Sequence, residues 1–439
     1  MNSTFSLSQL ADDLESRIRG NRLMDLGVDW QDELVFPAYD GLSLMNIPNT
    51  IAILLDAGDE AAPGLDAAIW GGDLIAGTVD RVVLMISDGL GYLWLKHLIE
   101  TDDTVATAVD FLTDGRGPLP LTSVVPGTTA VALPTLWTGA SPAAHGMVGT
   151  KLFLRELSML VDMLSLRPVK GVHHAGVIAD WGVSPEGFIP VQTLGERLSG
   201  AGVPGYLLLP KGLGGSGLSR IMHRGITSME SYYGDSDIWL RVRDMLSQTA
   251  NQRCFVNIYL PTVDGLSHLY GADARYIENE VRHQLTGLQD VLADTALHDG
   301  RTLFLLVADH GHHDARNWVN LAEDEAAAPI YRAMRGLVGA ESRFGYLYLQ
   351  HALYRQAVDT LRTAFADCFA AIDAPAALAA GLFGPGKAYT ETIHRLGDLI
   401  VLGRLNWRLI DPVISKSHIS VHGGLSDWEM LIPFLWKRL

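Results

Sequence analysis

Residues 82–89 read VVLMISDG, a short apolar run, β-branched at Val82, Val83 and Ile86, that stops at Asp88-Gly89. Such a run is too short for a buried helix and lacks the alternation of a half-exposed strand, so it predicts a strand covered on both faces. Comparable runs recur at 203–209, 253–260 and 302–308. Helical patterns stand at 191–201, 235–249 and 275–297. Strand and helix alternating in this way predict an α/β fold: a three-layer α/β/α sandwich around a doubly wound, mainly parallel sheet.

In such sheets ligands gather beyond the carboxyl ends of the strands. The residues there are of a restricted kind. The first run delivers Asp88, NIYLPTVDGLSH delivers Asp264 and His268, LFLLVADHGHHD delivers Asp309 and His310, and SKSHISVHGGLSDWEM supplies His422. Asp and His are donors for Zn²⁺ or a similar divalent ion. Asp264 and His268, four apart, share one face if a helix starts there. The adjacent Asp309 and His310 converge only on a loop past the strand end. Each piece alone has a plainer reading: a turn for Asp-Gly, a surface pair for Asp264 with His268. Their joint placement at strand exits favours metal, and three carboxylates with three imidazoles suffice for two ions.

The bulk properties narrow the function. The 439 residues are 48% hydrophobic and 19% charged, a globular balance. Fifty acids against 33 bases give a formal charge of −17 without a basic block, which argues against nucleic-acid binding. An acidic chain still accepts an anionic substrate where bound cations invert the local field. Cys254 and Cys368 form neither a disulfide framework nor a Cys/His ligand pattern, and Cys254 in CFVNIYL reads as a buried inert thiol. No signal-like leader or run of about 18–20 apolar residues is visible, so no membrane partner and a cytoplasmic location are expected. Residues 1–75 read as an N-terminal extension packed on the core, and 76–439 as the catalytic domain with a cap or insertion at about 312–390, where YLYLQ at 346–350 is a candidate strand.

A further stretch, VVPGTTAVALPTLWTG at 124–139, places Thr128 and Thr129 where a strand hands over to a helix. In order along the chain come Asp88, the PGTT…TG…HG stretch from Pro126, D-x-x-x-H at 264–268, Asp-His-Gly at 309–311 and the late His-Gly at 422. This set resembles the alkaline phosphatase superfamily, and most of all its type I phosphodiesterase/nucleotide pyrophosphatase family, over residues 82 to about 435.

The resemblance implies two Zn²⁺ ions, one held by Asp264, His268 and His422, the other by Asp88, Asp309, His310 and the nucleophile. It puts that nucleophile on Thr129, the third residue after Pro126, with Thr128 flanking it; threonine is a common helix N-cap, and that is the plainer reading of either residue and the one expected for Thr128. It implies a metal-dependent hydrolase of phosphodiester or nucleotide pyrophosphate bonds, acting through a phosphothreonine intermediate on a small-molecule phosphoester or nucleotide. A phosphomonoesterase or phosphonate hydrolase on the same site is the nearest alternative, and a non-catalytic metal-binding relative a more distant one. A sulfatase is disfavoured because no C/S-x-P-x-R pattern is present. The family's asparagine after the HG motif is Thr150 here, with Lys151 beside it, and both are candidate substrate-binding residues.

Other residues have plainer readings. Thr135, Thr138 and His145 are expected to be structural; His312, His313 and Asp314 offer donors for a further metal site but are expected to form a solvated loop. No partner is assigned to His173, His174 or His418. The glycine-rich GLGGSG at 212–217 lacks a following Lys-Ser or Lys-Thr and reads as a turn or lid. Trp318 and Tyr331, which could stack on a base, read first as packing residues.

Overall fold

Arg81–Ser87 forms the first strand of the main sheet, β1, and each of its residues is buried. The structure, a computed structural model, describes residues 7–23, 26–58, 62–71, 79–412, 414 and 417–439. Six more strands complete the sheet: β2 Leu119–Thr122, β3 Gly205–Pro210, β4 Ser228–Tyr232, β5 Cys254–Leu260, β6 Thr302–Val307 and β7 Leu431–Arg438. Their order is β2-β7-β6-β1-β5-β3-β4. Parallel ladders join β6, β1, β5, β3 and β4, while β7 runs antiparallel between β6 and β2. This is the expected mainly parallel α/β sandwich. Full burial of β5 and β6 as well as β1 shows that helices cover both faces.

The four apolar runs became β1, β3, β5 and β6, but β7 was not among them. Its Pro433 is a residue that ordinarily argues against an interior strand. Here the ladder with β6 begins at Phe434, one residue later, and on the other side Pro433 pairs with Pro120 of the edge strand β2. The missing N–H therefore falls where the β6 ladder does not need it.

Register positions the site. Ser87 pairs with Leu260, and Ile86 with Val307, so β1, β5 and β6 end level with one another. The Asp88 N–H then donates to the Leu260 carbonyl at 2.9 Å, and the Asp264 N–H to the Asp88 carbonyl at 3.0 Å. Helix Thr262–Tyr270 starts just past β5. Near the N-terminus, Leu42 and Leu44 exchange backbone hydrogen bonds with Thr122, and the core runs on from Leu14 to Leu439.

A second, smaller apolar core includes Val319, Ile330, Leu347, Leu361, Val401 and Leu409. It packs around an antiparallel sheet of Gly339–Ala340, Phe344–Leu347, Leu399–Gly403 and Phe369–Asp373, in that spatial order. The candidate strand at 346–350 falls partly within it. A buried ion pair, Arg343 Nε to Glu429 Oε1 at 2.8 Å, ties this region to the C-terminal loop. Among the described residues no helix is long and apolar enough to cross a membrane.

Candidate functional site

Thr129 opens helix Thr129–Thr138, and the extended residue before it, Thr128 (φ −144, ψ 147), occupies the cap position. Contrary to expectation the Thr128 side chain caps nothing; its hydroxyl meets the Thr150 hydroxyl at 3.0 Å. The first-turn N–H groups are thus left without a side-chain cap beside Thr129, and their dipoles make that point positive. Thr129 Oγ1 lies 3.3 Å from His310 Nε2.

Around that nitrogen a first cluster closes. His310 Nε2 is 3.4 Å from Asp88 Oδ1 and 3.5 Å from Asp309 Oδ2. Both of those carboxylate oxygens are buried and have no hydrogen-bond partner. Burial above all, then the charges of Asp309 and Asp264, push the Asp88 carboxyl well above the usual aspartate range. The Tyr259 hydroxyl donates to the other oxygen of Asp88. Orphaned buried carboxylate oxygens facing an imidazole and a hydroxyl are costly unless a cation sits among them.

The second cluster centres on Asp264 Oδ1. His268 Nε2 approaches it to 3.3 Å and His422 Nε2 to 3.6 Å. Burial opposes its ionisation, yet the hydrogen bond from His312 and the charges of His268, His312 and His422 hold it well below the ordinary aspartate range. The two clusters touch, with the His310 and His422 rings stacked 3.9 Å apart. Ligand atoms of Asp88, Asp309 and His310, and those of Asp264, His310, His312 and His422, lie within 4.8 Å of one another in each group. All-N/O donors of this kind suit a divalent ion such as zinc.

The seven residues singled out from sequence, Asp88, Thr129, Asp264, His268, Asp309, His310 and His422, are therefore brought together. Thr150 and Lys151 line a polar cleft of about 270 Å³ that also reaches Thr129, Asp264, Arg408 and His418. An apolar pocket of about 260 Å³, which shares Thr129, Leu164 and Asp264 with that cleft, is walled by Leu133, Trp137, Leu209, Leu218 and Met222. Leu213 and Ser216 of the glycine-rich stretch also line that pocket.

A second reading is overturned: His312 is no solvated loop residue. It is 4% exposed and its Nε2 lies 2.8 Å from Asp264 Oδ1. The cause is a two-stranded ribbon in which His313 pairs with Val421 and Asp314 with Ser420, which sets His312 beside His422. Nothing local in the sequence announced that pairing. Tyr259 and His418, the latter stacked on His268 at 4.3 Å, were also missed. His145 is structural: buried, it meets the Thr135 hydroxyl at 2.9 Å and accepts from the Met147 N–H. His174 is exposed, 3.9 Å from Asp180, and Trp318 and Tyr331 are exposed and line neither cavity beside Thr129. Burial raises the Cys254 thiol to about 11, as an inert core cysteine requires.

Comparison with known proteins bears on the fold and the family. No curated protein sequence matches. Solved structures that share the fold include murine ectonucleotide pyrophosphatase/phosphodiesterase 5, at 14% identity over 81% of this chain and 87% of that one, with a TM-score of 0.58. An inactive variant of the same murine protein in complex with AMP gives 15%, 81%, 87% and 0.58. Phosphonoacetate hydrolase from Sinorhizobium meliloti 1021 in complex with phosphonoformate gives 15%, 81%, 89% and 0.59. At such identities the likeness is one of fold. The type I phosphodiesterase / nucleotide pyrophosphatase family model matches residues 82–424. With that match over most of its length, the chain belongs to the type I phosphodiesterase / nucleotide pyrophosphatase family.

Proposed function

We propose that this protein is a two-zinc phosphodiesterase that cleaves phosphodiester or nucleotide pyrophosphate bonds, with Thr129 as the nucleophile. The carrying observation is that Thr129 Oγ1 stands against His310 Nε2 at the meeting point of two acid–imidazole clusters. Asp264, His268 and His422 would hold one ion, and Asp88, Asp309, His310 and Thr129 the other. When bound, such ions supply Lewis acidity to a phosphoryl oxygen and make a hydroxyl nucleophilic near neutral pH.

The chain's own residues supply the rest. Thr129 Oγ1 forms a bond to phosphorus as the bond to the leaving oxygen breaks and the hydroxyl proton ends on that oxygen, giving a free alcohol or nucleotide and a phosphothreonine that keeps the substrate's other arm. Water then attacks the same phosphorus, the bond to Thr129 Oγ1 breaks, the phosphate monoester leaves, and a proton of the water restores the Thr129 hydroxyl. The uncapped amide groups at the start of helix Thr129–Thr138 favour negative charge at that position. Lys151 and Arg408 border the polar cleft and would attract the nonbridging oxygens, a task in which the Thr150 hydroxyl stands where relatives carry an amide.

A diester has two organic arms, and Thr129 lines two cavities, the polar cleft and the apolar pocket. This favours diesters over monoesters, which have one arm, and over small phosphonates.

Hydrolysis of an aryl phosphodiester, an aryl phosphomonoester, a dinucleotide and a phosphonate, by wild type and Thr129→Ala, tests the reading. Expected are diester or dinucleotide turnover above the others and a loss of roughly 10³-fold or more in Thr129→Ala. Full turnover by the alanine variant would exclude the covalent route.

A further inference from the structure

Four imidazoles crowd Asp264 and its neighbours, and distance alone would make ligands of them all. His312 has ring centroids of His268, His422 and His310 at 4.9, 5.2 and 5.7 Å. Its Nε2 is the closest of the imidazole nitrogens to Asp264 Oδ1, at 2.8 Å against 3.3 Å for His268 and 3.6 Å for His422. What separates it from the others is where the ring protons must be.

In His268, His310 and His422, Nδ1 faces a backbone carbonyl: Ser420 at 2.8 Å, Gly311 at 3.1 Å and Gly127 at 3.1 Å. A carbonyl only accepts, so in each of these rings Nδ1 carries the hydrogen and Nε2 offers its lone pair inward. That is the tautomer a metal ion needs, fixed by a backbone partner.

His312 is arranged the other way. Its Nδ1 is buried and has no hydrogen-bond partner, while its Nε2 faces a carboxylate oxygen, which also only accepts. The hydrogen therefore belongs on Nε2, and a nitrogen that donates it has no lone pair left for a metal. The fold makes room for this contact at Gly89, whose positive φ of +79 suits glycine and where an added Cβ would come within 3.0 Å of the His312 ring and 2.9 Å of Asp264 Cα.

We infer that His312 is a positioning residue for the metal centre and not one of its ligands: it donates from Nε2 to Asp264 Oδ1 and aims the remaining lone pair of that oxygen between His268 and His422. A carboxylate held in this way loses less freedom on coordination and stays ionised among its neighbours, which raises its affinity for a divalent ion. The inference rests on the metal-binding reading proposed above.

The experiment uses the full chain stripped of metal, with Zn²⁺ affinity measured by competition with a chromophoric chelator and coordination read from the absorption spectrum of the Co²⁺ form. Three variants are compared: His312→Leu fills the space without a donor, His312→Gln restores an amide N–H near the Nε2 position, and His268→Ala removes a proposed ligand. Expected for His312→Leu is a roughly 10- to 100-fold weaker binding at one of two sites, with the cobalt bands unchanged in position and intensity. His312→Gln should recover to within a few-fold of wild type, whereas His268→Ala should change the cobalt spectrum. Equal weakening by His312→Leu and His312→Gln with an altered spectrum would make His312 a ligand and overturn the inference. Undiminished binding by His312→Leu would overturn it as well. Where the leucine variant does not fold, His312→Asn, whose amide falls a methylene short of Asp264, takes its place: weaker binding with unchanged cobalt bands supports the inference, and undiminished binding or altered bands overturn it. A wild-type protein that binds no divalent ion overturns the proposed function and this inference together, whereas binding by wild type that His312 does not influence overturns the inference alone.

Discussion

At Asp88 the fold holds a carboxyl whose ionisation it opposes. Burial first, then Asp309 and Asp264, raise its proton affinity above the unfolded value of 3.8. A group raised in this way contributes stability below the unfolded value and loses that contribution as pH rises through the folded one. Metal-free protein should therefore melt at progressively lower temperature as pH rises above about 4, to the extent set by Asp88, and Asp88→Asn should flatten that slope. Thermal melts of chelator-treated protein across pH measure this. A divalent ion reverses the penalty: at 100 times its dissociation constant it stabilises by about 2.7 kcal/mol, and Asp88→Asn should lose most of the resulting rise in melting temperature.

Two elements set the clusters in place. The turn after β1 needs Gly89 in a left-handed conformation, with Asp264 Cα within 2.9 Å of where a Cβ would stand. Gly89→Ala should push helix Thr262–Tyr270 away, weakening metal binding more than it lowers the melting temperature of the metal-free protein; chelator competition and melting, read together, check this. The C-terminal loop that carries His422 is held by Glu429, which accepts from Arg343 Nε at 2.8 Å and from the Gly424 N–H at 2.7 Å. Removing one partner of a buried pair strands the other, so Arg343→Met should cost about 3–5 kcal/mol in denaturant unfolding. Burial opposes ionisation of Glu429, but the Arg343 charge keeps its carboxyl below the ordinary 4.5. Its contribution is present above that value and disappears as pH falls through the lower folded one. Acid titration by circular dichroism should show Glu429→Gln less stable than wild type at neutral pH, with the gap closing in acid.

Across the whole molecule, a net charge of −17 repels the anion that the proposed chemistry needs. In the polar cleft Lys151 and Arg408 stand among Asp162, Asp264 and Glu341, so these two cations, with any bound metal, are what the anion would meet there. Lys151→Ala should raise KM for an anionic diester by about 2- to 5-fold, the size of one partly exposed charge contact, and leave kcat nearly unchanged. Steady-state kinetics at low and moderate salt would show the difference shrinking as screening increases.

Much of this was legible in the chain. An apolar run closed by Asp-Gly has few outcomes other than a buried strand with a polar exit, and parallel strands in register bring such exits together whatever the intervening helices do. Thus β1, β5 and β6, and Asp88, Asp264 and Asp309 with them, follow from local pattern. His312 did not, because its place depends on a ribbon between His313–Asp314 and Ser420–Val421, segments about a hundred residues apart whose pairing leaves no periodic trace. The proton positions on His268, His312 and His422 are likewise tertiary: each depends on which distant carbonyl or carboxylate the folded chain presents to the ring. Residue types and their spacing determined the available donors, and the next residue's carbonyl orients His310; for His268, His312 and His422 only the long-range fold decided which ring nitrogen faces the site with a lone pair and which with a hydrogen.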